Sequence, residues 1–234
     1  MSDAPCALPV QSAREIAARQ VLLTVSVRGT PLEGTHRRPG QYARLGLEGG
    51  VPRPFVIASP PGAAAFEFLL KVPAERTAER TAELTLLGQS DRVEIGHLQG
   101  AGFPLEKAEG HPLWLIAVGS GVAALRSVIE HLLPRRTAFG EITLLYGVRH
   151  ANELAFTERF GPWAGHGIKV IPVVSRAEPT WGGATGYVQH HLPKKIDRAG
   201  SAAVFICGLP EMEKAVAAAL LERGVGPDQI HRNW

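Results

Sequence analysis

Three residues, Gly119-Ser120-Gly121, stand between an unbroken apolar run, Leu113 to Val118, and a segment with apolar residues at Val122, Leu125, Val128, Ile129, Leu132 and Leu133. The run reads as a strand covered on both faces, and the spacing after it is that of an amphipathic helix. A strand that enters a helix through glycines aims several backbone N–H groups at one spot, at the positive end of the helix dipole. That spot suits a pyrophosphate, and the glycines let backbone approach it with no Cβ in the way. Ala124 occupies the last position of G-x-G-x-x-G, so the dinucleotide fingerprint is incomplete and a plain strand–helix turn reads the same way. Other chemistries fit less well. Val118 sits where a nucleophile elbow needs glycine, no Walker lysine follows the glycines, and His190-His191 lacks the His-Glu-x-x-His spacing of a zinc site.

The elements around this turn fall into two halves. From Val21 to Val72 short alternating segments (Val21 to Arg28, Gln41 to Leu47, Arg53 to Ser59, Phe66 to Val72) are separated by Gly- and Pro-rich turns, which predicts an antiparallel barrel. A duplicated Ala-Glu-Arg-Thr stretch, residues 74–81, follows and reads as helical, with Thr77 or Thr81 as cap. Glu106 to Pro112 is polar and marks the boundary. Beyond it strands (Leu113 to Val118, Glu141 to Gly147, Ile168 to Val174, Ala202 to Cys207) alternate with helices (Val122 to Leu133, Asn152 to Phe160, Tyr187 to Leu192, Glu211 to Arg223). Pro172 argues for an edge or a bulge. That alternation predicts a parallel sheet wound by right-handed crossovers, with its ligand at the carboxyl ends of the strands. Gly119-Ser120-Gly121, Tyr146-Gly147, Ser175-Arg176 and Cys207-Gly208 all fall there. The organisation expected is a flexible leader over residues 1–19, a barrel over 20–109 and an α/β domain over 110–234.

Composition is unremarkable for two moderate cores: 234 residues, 45% hydrophobic, with a net charge of +3. No Lys/Arg run interleaves with aromatics, so nucleic acid is not the partner expected. No apolar run is long enough to span a membrane, and Met1 to Gln11 lacks a signal-peptide pattern. The two cysteines, Cys6 and Cys207, make neither a disulfide framework nor an iron–sulfur set, in keeping with a reducing, cytoplasmic setting.

Arg53-Pro-Phe-Val-Ile-Ala-Ser, Gly102-Phe-Pro, Val118-Gly-Ser-Gly-Val-Ala-Ala-Leu-Arg, Leu145-Tyr-Gly, Val174-Ser-Arg, Gly186-Tyr-Val-Gln and Ile206-Cys-Gly-Leu-Pro-Glu-Met occur in one order. In that order they resemble the ferredoxin–NADP reductase-type flavoproteins over roughly residues 20–234, and the plant plastid reductase-like proteins most of all. The resemblance implies an FAD-binding Greek-key barrel, an NAD(P)-binding domain, and hydride transfer between nicotinamide and flavin across the cleft. It places Arg53 on a phosphate of FAD, Phe55 against the flavin ring or in the barrel core, and Lys71 and Thr81 by the flavin pyrophosphate. Val56 replaces the serine that would hydrogen-bond near flavin N5, so either a backbone N–H serves N5 or flavin binding or turnover is weakened. Gly119, Ser120 and Gly121 fall on the dinucleotide pyrophosphate, Ser175 and Arg176 on the adenosine end, Tyr187 on the adenine, and Cys207 and Gly208 beside the nicotinamide. Trp234 covers the flavin or fills the nicotinamide slot. Arg176 favours NADP, but Thr185 replaces a lysine common in NADP-specific members, which keeps NAD open. Electrons then leave singly or as a pair to an acceptor the sequence does not identify; with no iron–sulfur or haem module in this sequence, a one-electron acceptor is expected to be a separate carrier protein. Two other readings stay open: a degenerate reductase fold acting as a binding or regulatory subunit, and an electron-transfer subunit of a larger complex.

Overall fold

A computed structural model describes residues 5–72, 81–194, 196 and 202–233. The first half is one antiparallel sheet of β1 (Cys6–Ala17), β2 (Gln20–Ser26), β3 (Tyr42–Gly46), β4 (Arg53–Val56), β5 (Ala65–Lys71) and β6 (Arg92–Ile95), in the order β4-β3-β6-β1-β2-β5. The residues after β4 bring the two ends of this order together. Ile57 bridges Phe68, and the Ala58 N–H donates to the Glu67 carbonyl at 2.7 Å, so the sheet closes as the barrel expected. Leu23, Val25, Ala43, Leu45, Ile57, Phe66, Phe68, Val93 and Ile95 fill its interior.

The leader expectation is corrected. Residues 6–17 form β1, paired to β2 from Val10↔Val25 to Ala17↔Gln20 and to β6 from Cys6↔Ile95 to Pro9↔Arg92. Leu8 and Val10 face the core while their neighbours are exposed or half-buried, and Pro9 and the register shifts at Val10/Ser12 and Glu15/Ala17 blur that alternation in the sequence.

In the second half, β7 (Leu113–Val118), β8 (Ile142–Val148), β9 (Ile168–Val174), β10 (Ala184–Thr185), β11 (Ala203–Cys207) and β12 (Ile230–Arg232) form a parallel sheet ordered β10-β9-β8-β7-β11-β12. Pro172 lies where β9 has no partner on its β10 side, since β10 pairs only with Val173 and Val174. The helices are the short α1 (Thr81–Leu84), then α2 (Val122–Leu132), α3 (Phe160–Gly165) and α4 (Pro210–Leu221), whose proline starts it at a position needing no N–H. The helix expected over Asn152 to Phe160 is instead two 3-10 turns, Ala151–Glu153 and Thr157–Arg159. Phe156 stands between them at φ +61°, which no helix accommodates. Tyr187 to Leu192 likewise narrows to a 3-10 turn, Val188–His191.

One apolar cluster crosses between the halves. Leu22, Ala58, Leu69 and Phe103 join Leu115, Leu125, Val128, Phe156 and Phe205 in it, and Phe103 stacks on Phe205 at 4.8 Å. A second cluster, Ile116, Leu145, Val204 and Ile206 with Val216 and Leu220 of α4, covers the other sheet face. Polar contacts pin the same seam. The Ser127 Oγ donates to the Ser59 carbonyl at 2.8 Å, and Arg126 pairs with Glu67 at 2.7 Å. Among the described residues no helix is long and apolar enough to cross a membrane.

Candidate functional site

The strand order reverses direction between β7 and β11: the chain runs outward from β7 through β8, β9 and β10, then returns to β11 on the other side. A crevice forms at such a switch point, outside the carboxyl ends of the two strands. β7 delivers Gly119-Ser120-Gly121 there, as a 3-10 turn leading directly into α2, and β11 delivers Cys207 and Gly208. The two backbones touch. A Cβ at Gly121 would lie 2.2 Å from the Cys207 carbonyl oxygen and 3.0 Å from the Gly208 nitrogen, so only glycine fits. Gly119 has φ +56°, and a Cβ there would meet nothing within 4 Å, so its backbone faces open space.

The barrel supplies the opposite wall. Pro54, Phe55 and Val56 of β4 and Leu69 and Lys71 of β5 face the turn, enclosing a cavity of about 370 Å³ whose remaining wall includes Val118, Val148, Arg149, Glu153 and Leu209. The slot is open beside Phe55 and Val56. Eight of the expected residues therefore meet in one place: Phe55, Val56, Lys71, Gly119, Ser120, Gly121, Cys207 and Gly208. Phe55 is half-buried and also packs on the barrel core, while Val56 packs on the cluster that crosses between the halves. The register sets Val56 opposite Tyr42, and Phe55 opposite the buried Ala43. Phe55 thus lines the cavity and also anchors the strand to the barrel core.

Burial, with the negative charge of Glu213 adding to it, pushes the Cys207 thiol up to about 12. It is a neutral thiol near pH 7, a wall atom and not a thiolate.

Arg53, Ser175, Arg176 and Tyr187, also expected at the site, do not line this cavity. Arg53 is exposed and lines a small recess with Leu45, Gly46, Gly50, Val51, Glu83 and Leu84, which brings it to α1. Thr81 begins α1; its side chain, all of Thr77, and Trp234 lie outside the described residues. The preceding residue, Asn233, lines a second recess with Tyr42, Pro54 and Val56, so the chain reaches the Val56 wall at its end. Ser175 and Arg176 follow β9. Their N–H groups donate to the carbonyls of Val148 (3.0 Å) and Arg149 (2.8 Å), which joins them to the cavity through Arg149. Tyr187 is 61% exposed, its ring edge-on to His190 at 5.9 Å.

Arg149, Glu153, Leu69 and Leu209 were not foreseen. Arg149 and Leu209 each stand two places after a strand-end residue already singled out, Gly147 and Cys207, and that offset was the available signal. Glu153 left none, because it reaches the cavity through a 3-10 turn read as continuous helix; its carboxylate accepts the Arg149 N–H at 3.2 Å.

Comparison with known proteins agrees with this geometry. A family model described as the oxidoreductase NAD-binding domain matches residues 115–218. Fruit protein pKIWI502 of Actinidia deliciosa is 34% identical over 213 residues, covering 82% of this chain and 64% of its own, so the chain spans just under two thirds of that relative. Ferredoxin–NADP reductase B of Sorangium cellulosum is 30% identical over 204 residues, covering 82% of each chain. The crystal structure of a ferredoxin NADP+ reductase from Neisseria gonorrhoeae, with bound FAD and NADP, superposes with a TM-score of 0.85 over 99% of this chain and 98% of its own, at 22% identity. With this fold, this cavity at the switch point and these relatives, the chain belongs to the ferredoxin–NADP reductase-type family of FAD- and NAD(P)-binding oxidoreductases.

Proposed function

We propose that the chain is an FAD-dependent NAD(P)H oxidoreductase that takes hydride from the nicotinamide within the 370 Å³ cavity and hands electrons to a separate carrier protein. The observation that carries this reading is one slot with an apolar strand wall, Pro54 to Val56 with Leu69, facing a glycine turn whose Gly119 backbone is open to it. The two walls fit the two cofactors differently. The barrel wall is flat and apolar, as a fused-ring system requires, and Arg53 beside α1 offers a guanidinium to a phosphate. The opposite wall offers backbone N–H groups at the start of α2, suited to a pyrophosphate. When bound, FAD supplies the two-electron acceptor and the means of releasing electrons; the protein supplies position and electrostatics.

Each residue's part follows from its place. Gly121 lets the Cys207-Gly208 turn close against the dinucleotide loop, and Cys207 and Leu209 line the slot. Val56 presents methyl groups and no hydrogen-bond donor, so its own backbone N–H is the local polar group for a flavin edge. Arg176, joined to Arg149 through the backbone, answers the 2′-phosphate of NADP; NAD remains the weaker alternative. Tyr187 offers an exposed ring to the adenine, and Asn233 lies at the Val56 wall; the part expected of Trp234 falls outside the described residues. The acceptor in this reading is a ferredoxin-type carrier, supported by the name of the Sorangium relative. The cytoplasmic setting belongs to the same reading, with both cysteines unbridged. The open slot speaks against a degenerate, purely regulatory subunit.

The test is an anaerobic titration. Protein loaded with FAD is mixed with NADPH, then separately with NADH, while the flavin absorbance is followed. Stoichiometric bleaching, tighter with NADPH, is the expected result. Failure to take up FAD, or uptake without bleaching, would overturn the reading.

A further inference from the structure

Glu213 is the most deeply buried carboxylate among the described residues, 2% exposed in the first turn of α4. A buried carboxylate is costly unless both oxygens are engaged. Here each oxygen serves a different element. Oε1 accepts the Gly208 N–H at 3.2 Å, and Oε2 lies 3.2 Å from the Arg232 Nε on β12. The second contact balances the buried charge. The first holds a backbone amide in the wall of the cavity. On its other side the same turn meets Gly121 with no space to spare, a Cβ there falling 2.2 Å from the Cys207 carbonyl oxygen. The Cys207-Gly208 turn is thus held between the dinucleotide loop and Glu213. Through Arg232 the hold extends to the next residue, Asn233, whose Nδ2 donates to the Gly40 carbonyl of the barrel at 3.0 Å.

Resting on the oxidoreductase reading above, we propose that Glu213 is a positioning residue for the nicotinamide nucleotide. Its Oε1 fixes the Gly208 amide and so the height of the Cys207-Gly208 turn over the slot, and its Oε2 ties that turn to the C-terminal strand.

Two variants separate positioning from stability. Glu213→Ala loses both contacts. Glu213→Gln keeps an acceptor for the Gly208 N–H and loses the charge opposite Arg232. Both are measured in FAD-loaded protein for NADP+ dissociation constant by calorimetric titration, for FAD affinity, and for thermal midpoint. The thermal midpoint is expected to fall in both. NADP+ affinity is expected to fall about tenfold in Glu213→Ala, the loss of one hydrogen bond to a charged group, and to return to within about threefold of the parent in Glu213→Gln, about the value of a neutral bond. FAD affinity, which belongs to the barrel wall, is expected to hold in both. Equal NADP+ affinity in the parent and Glu213→Ala, or equal losses in the two variants, would overturn the assignment and leave the oxidoreductase reading intact. A parent protein that does not bind NADP+ at all would sink that reading and this one with it.

Discussion

Replacing Glu67 with leucine should destabilise the protein more than replacing Arg126 with methionine, and making both changes should recover most of the loss. The pair joins β5 of the barrel to α2, with Arg126 Nη2 2.7 Å from Glu67 Oε2, and its two side chains are 6% and 22% exposed. The asymmetry follows from those exposures. Without Glu67 the guanidinium stays buried, its Nε and Nη1 have no hydrogen-bond partner among the described residues, and the Phe156 ring, 4.7 Å away, faces the charge. Breaking a buried pair in this way costs about 3–5 kcal/mol, and the Phe156 contact, present in parent and variant alike, offsets none of it. At about 2–4 °C per kcal/mol for a chain of this size, that lowers Tm by about 6–20 °C. Without Arg126 the carboxylate, a fifth exposed, regains water, so the loss is about half as large. With leucine and methionine together no charge is left to desolvate, and such replacements run from neutral to stabilising. Scanning calorimetry on the four proteins, with guanidinium unfolding as a check, measures the coupling. A larger loss in Arg126→Met than in Glu67→Leu, or additive losses in the double variant, would refute the argument that the desolvated guanidinium dominates.

Three further outcomes follow from the same geometry. His36 is 3% exposed, edge-on to Phe66 at 6.0 Å, and burial lowers its pKa to about 4. The unfolded chain therefore binds a proton that the folded one refuses. Stability should fall by about 3 kcal/mol as pH drops from about 6.5 to 4, and a His36→Leu variant should show a shallower loss in denaturant titrations across that range. Val56→Ser places a hydroxyl on the strand wall and should speed flavin reduction about two- to tenfold, one neutral hydrogen bond's worth, in stopped-flow traces; no change would mean that the Val56 side chain does not face the reacting edge. Arg176→Glu should weaken NADPH binding about tenfold or more and leave NADH within about threefold, read as dissociation constants; equal effects on both would remove Arg176 from the 2′-phosphate.

The parts legible in the sequence were those written in local pattern. The unbroken run Leu113 to Val118, the glycine turn and the helix period after it gave β7, the loop and α2 to within a residue. Strand-end punctuation gave the cavity wall built by β7 and β11, because glycines at the carboxyl ends of parallel strands converge by topology. What stayed hidden depends on distant partners. β1 is irregular by itself and exists as a strand because β2 and β6 flank it. β12 is three residues long and is defined only by its pairing with β11. The helix read over Asn152 to Phe160 is broken at Phe156, which is buried beneath Arg126 and has a positive φ that no local pattern announces. Glu213 looked like an ordinary first-turn acid of α4, and nothing local tells that its carboxylate turns inward to Gly208 and Arg232.

The account stands or falls on whether a nicotinamide and a flavin meet face to face between Val56 and the Cys207-Gly208 turn. FAD-loaded protein mixed rapidly and anaerobically with NADPH deuterated at one or the other C4 position reports this directly. Stacking in a slot with two different walls presents one face of the nicotinamide, so bleaching of the flavin should slow about twofold or more with one deuterated isomer and stay unchanged with the other. Bleaching that slows equally with both isomers, or no bleaching at all, would contradict the account.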